Sequence, residues 1–282
     1  MAQVFMRFPG GTMRTLTFSY DDGVEQDVKL IEIFQKYGLR ATFNLNSGLY
    51  APEGTVYPEG HIHRRMPASD VSRLYAQDGI EVAVHGATHP WLDHMPINMC
   101  TKDLLDDREA LEKQFGTIVR GMAYPYGTYN DNVVDSMRSV GIVYSRGVSS
   151  SHDFDMPSDW MRLRATCHHN DPELMNLAKR FVEGDTYGRP RMFYLWGHSY
   201  EFEANNNWNV IEEFAEYVSG REEIWYATNI EIYDYQDAFN RLLFSMDGSI
   251  VSNPSAYKLW FNLNGKEYSI EPGEVLHIQS EQ

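Results

Sequence analysis

Two short strings hold the residues best suited to chemistry: Tyr20-Asp21-Asp22-Gly23 and His85-Gly86-Ala87-Thr88-His89-Pro90. One carboxylate with two imidazoles is the ligand set of an open catalytic zinc site, because three protein ligands leave a position for water or a carbonyl oxygen. Asp22, His85 and His89 are therefore the expected metal ligands. Zinc is the first choice; cobalt, nickel, iron or manganese suit the same donors, since occupancy follows availability as well as affinity. Asp21, the spare carboxylate, is a ready general base toward water at such a metal, whose pKa falls to about 7. Successive strand residues point to opposite faces, so both aspartates can serve one site only where the strand ends in the Asp-Gly turn. His198, within Trp196-Gly197-His198-Ser199, is the candidate general acid, because imidazole titrates near neutrality.

Each string follows a strand-like run. Thr15-Leu16-Thr17-Phe18 precedes the aspartates, Ile80-Glu81-Val82-Ala83-Val84 precedes His85, and Met192-Phe193-Tyr194-Leu195 precedes His198. The C-terminal ends of strands are where α/β enzymes keep their chemistry. Further strands are expected over 41–45 and 118–123, with a long loop over 48–67. Helical apolar spacing runs over 28–37, from 69 or 70 to about 77, and over 98–115, 130–140, 172–182, 207–217 and 230–243. This alternation predicts a parallel α/β barrel or sheet. From Ser245 the pattern changes to four short strands separated by Asp247-Gly248, Asn264-Gly265 and Pro272-Gly273, the second a strong hairpin turn. The expected division is a barrel domain over 1–244 and a small antiparallel β appendage over 245–282, too small to stand alone.

With 282 residues and 43% hydrophobic content, the chain can bury one large core. A net charge of −16 excludes nucleic acid or an anionic membrane as the main partner, since both need a basic footprint. No apolar stretch approaches membrane-spanning length. The first residues lack the features of a signal peptide, and Cys100 and Cys167 are the only cysteines; a reduced, cytoplasmic protein is the economical expectation. The expected partner is a small-molecule or saccharide substrate, and the oligomeric state is not legible.

Four strings, in order over roughly the first 200 residues, resemble the motifs of the polysaccharide deacetylase family, carbohydrate esterase family 4 with its NodB-type homology domain. Its Thr-Phe-Asp-Asp-Gly is matched by Thr17-Phe18-Ser19-Tyr20-Asp21-Asp22-Gly23 with two residues inserted. Its His-(Ser/Thr)-x-x-His is matched in spacing by His85 to His89, with Gly86 in place of the hydroxyl residue. Ala123-Tyr124-Pro125-Tyr126-Gly127 resembles Arg-x-Pro-Tyr-Gly, and Trp196-Gly197-His198-Ser199 stands where the family has Leu-x-His. The resemblance implies an α/β fold, a distorted (β/α) barrel of the deacetylase type. It also implies a metal-dependent hydrolase that removes an N-acyl group, acetyl first among them, from an amino sugar or sugar derivative. The Tyr126 backbone N–H would then stabilise the oxyanion.

The departures open two alternatives. Ala123 stands where the family has an arginine that contacts the base; Arg162 and Arg164 alternate with Met161 and Leu163 on a possible strand, so that both point to one side and one of the two is the candidate substitute, and Arg164 is also expected to bind the substrate. The family's Asp-x-x-Asp-Trp is one residue too long here, as Asp155-Met156-Pro157-Ser158-Asp159-Trp160, which leaves open whether Asp155 or Asp159 tunes His198. Trp160 and Trp196 are expected to wall the substrate pocket, and Glu201 and Glu203 either orient His198 or form a solvated helix start. The alternatives are a hydrolase of a small non-sugar amide, such as a ureide or cyclic imide, and a non-catalytic carbohydrate-binding barrel.

Overall fold

In the computed structural model, which describes residues 3–278, the apolar runs become strands and helices in close alternation. In chain order these are β1 (Val4–Arg7), β2 (Arg14–Asp21), α1 (Asp27–Lys36), β3 (Ala41–Leu45), α2 (Ala68–Tyr75), β4 (Ile80–Val84) and α3 (Ile97–Phe115). Next come β5 (Gly121–Ala123), α4 (Asp131–Ser139), β6 (Tyr144–Ser150), β7 (Leu163–Ala165), β8 (Cys167–His168), α5 (Leu174–Glu183) and β9 (Arg191–Gly197). The remainder is α6 (Tyr200–Ala204), α7 (Asn209–Val218), β10 (Ile224–Tyr226) and α8 (Asn229–Asn240), then β11 (Leu243–Phe244), β12 (Ile250–Ser252), β13 (Leu259–Leu263), β14 (Lys266–Ile270) and β15 (Val275–His277).

The main sheet runs β7-β6-β5-β4-β3-β2-β9-β8 with parallel pairings, and β10 lies along the start of β2. β7 and β8 are two halves of one extended run: between them Thr166 N–H donates to the Tyr194 carbonyl at 2.8 Å. The first half pairs with β6 and the second with β9, so the sheet curves back on itself as a barrel. The fold class read from the sequence is borne out.

Alternation along β2 divides two environments. Phe18 and Tyr20 face the helix layer, where Phe18 lies 4.4 Å from Phe34 and 6.0 Å from Phe214 by ring centroid. Thr17, Ser19 and Asp21 point into the barrel, which is polar and hydrogen-bonded. Thr17 Oγ1 donates to Asn229 Oδ1 at 2.7 Å, and Asn44 Nδ2 donates to Ser19 Oγ at 2.8 Å. Lower in the barrel, burial raises the Glu81 carboxyl to about 7 although Tyr144 and Thr42 hydroxyls donate to it. This inward polarity hides β6 from a hydrophobic pattern: Tyr144-Ser145-Arg146-Gly147 is buried, yet half of it is polar.

The residues after 245 fold as antiparallel strands in two three-stranded sheets, β1-β13-β14 and β11-β12-β15. Each sheet draws one strand from before residue 245. Asn264 and Gly265 hold the β13–β14 hairpin with φ of 52° and 89°, the left-handed pair that a two-residue turn demands. Leu259 and Phe261 close over Met6, Phe8 and Tyr235 in a second core. No helix among the described residues is long and apolar enough to cross a membrane.

Candidate active site

Asp21 is the last residue of β2 and faces the barrel interior; Asp22 lies just past it with φ of 86°. That left-handed turn, which Asp tolerates better than most residues, brings its carboxylate back toward the same side. The Asp22 Oδ1 atom lies 3.9 Å from His85 Nε2 and 3.7 Å from His89 Nε2. Gly86 has φ of 72°, and a Cβ there would sit 2.8 Å from Pro90 Cδ, so this bend requires glycine where the family has a hydroxyl residue. His85 Nδ1 stands 2.7 Å from the Ala123 carbonyl. A carbonyl only accepts, so Nδ1 carries the proton and the Nε2 lone pair faces Asp22, the arrangement a metal-binding histidine needs. Burial holds the His85 ring below the usual histidine range and the His89 ring at about 4, so both are neutral ligands at neutral pH. The donor set fits a divalent cation.

Two residues of the 48–67 loop complete this end of the site. His63 Nε2 lies 3.2 Å from Asp22 Oδ2, and Arg65 Nη2 lies 3.0 Å from Oδ1. Burial alone would raise the Asp22 carboxyl, but these partners and His85 hold it well below the usual carboxylate range. Neither residue carries a local sequence signal, since the loop reads only as turn-rich.

Arg146, fully buried on β6, donates from Nη2 to both Asp21 oxygens at 2.5 and 2.6 Å. It makes the contact with the base that was expected of Arg162 or Arg164; the Arg164 side chain, which was also expected to bind substrate, is mostly exposed and lies 3.9 Å from Asp153. Arg162 is likewise on the surface, paired with Asp131 and Asp159. Asn44 Nδ2 donates to Asp21 Oδ1 at 2.8 Å. Desolvation pushes the Asp21 carboxyl up, yet the charge and hydrogen bonds of Arg146, with His198 beyond it, outweigh that and keep the group ionised. The Arg146 guanidinium also lies 4.3 Å over the Trp196 ring, so Trp196 packs beside this pair inside the barrel.

His198 follows β9 and turns Nε2 toward the site, 3.9 Å from Asp21 Oδ2. Its Nδ1 lies 3.0 Å from Glu201 Oε1, so Glu201, not Asp155 or Asp159, orients it. Asp155 pairs with Arg191, and Asp159 caps the turn at Trp160 while bonding Arg162. Burial opposes the charged imidazole, but the Glu201 hydrogen bond and the nearby Asp21 and Asp22 charges raise His198 above the usual histidine value. Glu203 instead binds Arg64 and Gln26.

His168, His198 and Glu201 form a second group with ligating atoms within 4.8 Å of one another. The protonation pattern sets it apart from the first group. Asn170 N–H donates to His168 Nδ1 at 3.1 Å, so the His168 proton sits on Nε2, 3.2 Å from Glu201. Both histidines therefore spend a proton on one carboxylate, which makes a hydrogen-bonded cluster rather than a set of lone pairs for a cation.

Tyr126 has φ of 58° between Pro125 and Gly127. Its ring meets His89 edge-on at 4.5 Å and stacks on Trp91 at 3.9 Å and 4°. Trp91 was not singled out in the sequence. Trp160 packs against Tyr144 and Tyr233 in the second core, where β6 begins rather than where it ends.

Residues 9–145 match the model of the polysaccharide deacetylase family. This span holds Asp21, Asp22, His85, His89 and Tyr126, bears out the motif resemblance, and stops one residue short of Arg146. No curated protein matches the chain by sequence. Among solved structures, a Mycobacterium smegmatis protein assigned to the polysaccharide deacetylases is 15% identical over 83% of this chain and 93% of its own, with a TM-score of 0.59. The carbohydrate esterase family 4 domain of a multidomain xylanase from the hindgut metagenome of Trinervitermes trinervoides is 15% identical over 80% of this chain and 92% of its own, with a TM-score of 0.51. A Streptococcus pyogenes deacetylase solved with acetate is 21% identical over 47% of this chain, which spans 55% of its length, at a TM-score of 0.42. The first two likenesses establish the barrel fold.

Proposed function

We propose that this chain, whose residues 9–145 match the polysaccharide deacetylase family, is a metal-dependent hydrolase of the N-acyl group, foremost N-acetyl, of an amino sugar or sugar derivative. One observation carries the reading: an ionised base and an oriented acid flank the Asp22, His85 and His89 set. Asp21 Oδ2 stands 3.9 Å from His85 Nε2 and 3.9 Å from His198 Nε2. A carbohydrate-binding module needs neither a base nor an acid.

Asp22, His85 and His89 would hold the cation. Zinc is our first choice, and when bound it polarises the amide carbonyl and lowers the pKa of water. Asp21, kept ionised by Arg146, takes the proton of the attacking water. The Tyr126 N–H donates to the oxyanion that forms as the carbonyl carbon becomes tetrahedral. His198, charged and steadied by Glu201, gives its Nε2 proton to the departing nitrogen, so the amine leaves neutral and the acid leaves as carboxylate. Trp196 backs Arg146 and narrows the site.

The deciding measurement is bound metal together with acetate release from N-acetylated amino sugars, with ureides and cyclic imides run alongside. Folded protein that neither binds zinc or cobalt nor releases acetate would overturn the reading. Ureides outpacing every sugar would favour the non-sugar alternative. Arg146 weakens that alternative, since it supplies the base-contacting arginine whose absence at Ala123 had suggested it.

A further inference from the structure

Residues 61–65 form a strap across the end of β2, and it is fixed from two sides. Arg65 bridges Val24 in antiparallel register, and Glu25 N–H donates to the Arg64 carbonyl at 2.8 Å. Arg64 donates from Nε to Glu25 Oε2 at 2.6 Å and grips both oxygens of Glu203 on α6 at 2.7 and 2.8 Å. Gln26 Nε2 donates to the Ile62 carbonyl at 2.6 Å and to Glu203 Oε2 at 2.8 Å. The strap is therefore held in place before any cation or substrate arrives.

Two of its side chains end on Asp22. Arg65 donates through Nη1 to the Asp22 carbonyl and, at 2.8 Å, to Asn46 Oδ1. Asn46 Nδ2 in turn donates to the carbonyls of His85 and Gly86 at 2.6 and 2.8 Å. One buried amide thus joins the left-handed turn at Asp22 to the start of the His85 loop. His63 acts on the carboxylate itself. Its Nε2 lies 3.2 Å from Asp22 Oδ2, and a carboxylate only accepts, so the ring hydrogen is on Nε2. The ring also meets Tyr200 edge-on at 4.9 Å, which fixes its plane. Arg65 Nη2 takes one lone pair of Oδ1 at 3.0 Å. Oδ1 keeps a second lone pair, and this oxygen lies within 3.9 Å of the Nε2 atoms of both His85 and His89.

An unrestrained carboxylate turns between one-oxygen and two-oxygen contact with a cation. A tetrahedral centre that keeps a position open for water takes one oxygen from it. We propose that His63 is a positioning residue for the cation: by occupying Oδ2 it leaves Oδ1 as the oxygen that Asp22 offers beside His85 and His89. The inference rests on the metal-dependent reading above.

The test titrates metal-free protein with zinc against a competing chelator, for wild type, His63→Ala, His63→Phe and His63→Gln. The phenylalanine variant keeps a ring against Tyr200 and loses only the donor. In His63→Ala and His63→Phe the zinc dissociation constant should rise about 10- to 100-fold, the usual effect of removing a hydrogen bond from a ligand. His63→Gln, which retains an N–H donor, should recover most of the affinity. The unloaded variants should melt at the wild-type temperature, because the His63 side chain is 40% exposed. Wild-type zinc affinity in His63→Phe would overturn the positioning role and leave the hydrolase reading standing. So would a loss that glutamine does not repair, or one that follows a lowered melting temperature in all three variants. A folded wild type that takes up neither zinc nor cobalt and releases no acetate would overturn both.

Discussion

Asp21 and Asp22 are adjacent in sequence, yet their surroundings differ in the way the proposed base and ligand roles require. Asp21 faces Arg146 across the barrel; Asp22 faces two neutral histidines. Arg146→Met should leave the Asp21 charge buried and unpaired, at a cost of roughly 3–5 kcal/mol in a denaturant titration. The Asp21 pKa is depressed in the folded state, so its stabilisation is present above its unfolded value and is lost as pH falls through the folded one. Without Arg146 that loss should begin at higher pH, and the acid limb of the pH–rate profile should move up with it. Asp22→Ala, His85→Ala and His89→Ala should each lower bound metal, measured on folded protein. Asp21→Asn should keep metal while turnover drops by about 10²–10⁴, the usual weight of a general base. Full metal in the first three, or near-normal turnover in the last, would reverse the roles. Glu201→Gln should move the alkaline limb to lower pH, because His198 loses the carboxylate that raises it; an unmoved limb would leave that carboxylate without influence on the acid. The aspartates and histidines were legible because each motif is short and sits at a strand end. Arg146 was not, since it reaches Asp21 from 125 residues away and no local pattern marks that contact.

The elements explain which errors a sequence reading makes. β2, β3, β4 and β9 carry apolar residues toward the helices and were legible from that pattern. β6 aims Arg146 inward and β1 lies at the periphery, so neither rises above a loop in pattern. Residues 118–123 contract to β5, because Val119 N–H and Arg120 are taken up by Glu112 and Asp234 instead of the barrel. The end of β9 shows how packing positions a side chain. A Cβ on Gly197 would lie 2.0 Å from His169 Nδ1. His169 is buried between Tyr20 and Phe202, and its Nε2 is 2.9 Å from Glu201 Oε2. Gly197→Ala should therefore push His169 into the carboxylate that orients His198. We expect a loss of roughly 1–3 kcal/mol, as for other overpacked cores, with metal binding retained and the alkaline limb altered. A variant with wild-type melting temperature and pH profile would show that His169 has room to move.

In the whole molecule the candidate site and the C-terminal sheets lie apart along the barrel axis. The site gathers at the C-terminal ends of β2, β4 and β9, whereas the tail packs near the start of β2, where Phe8 meets Trp225 at 5.7 Å. In barrels of this kind the first end carries function and the other carries stability. The tail is bound into the fold: β1 pairs with β13 from Val4↔Leu263 to Arg7↔Trp260, and the Tyr235 hydroxyl donates to the Arg7 carbonyl at 2.8 Å. A small β appendage was readable from its turns, but its reliance on β1 and β11 was not, because strand partners distant in sequence leave no periodic trace. Val251, Leu259, Phe261, Leu263 and Ile270 are all buried there. At about 1.5–3 kcal/mol for each such side chain, removing the tail would withdraw as much free energy as a typical domain's net stability. Deletion is thus a poor probe, since it should leave no folded protein to assay. Phe261→Ala is the better one. It should cost roughly 3–5 kcal/mol through the cavity between Phe244 and Tyr268, seen as a lower melting temperature. Metal content and both pH limbs of the folded fraction should stay at wild-type values. A displaced limb or lost metal at unchanged melting temperature would instead couple the tail to the site.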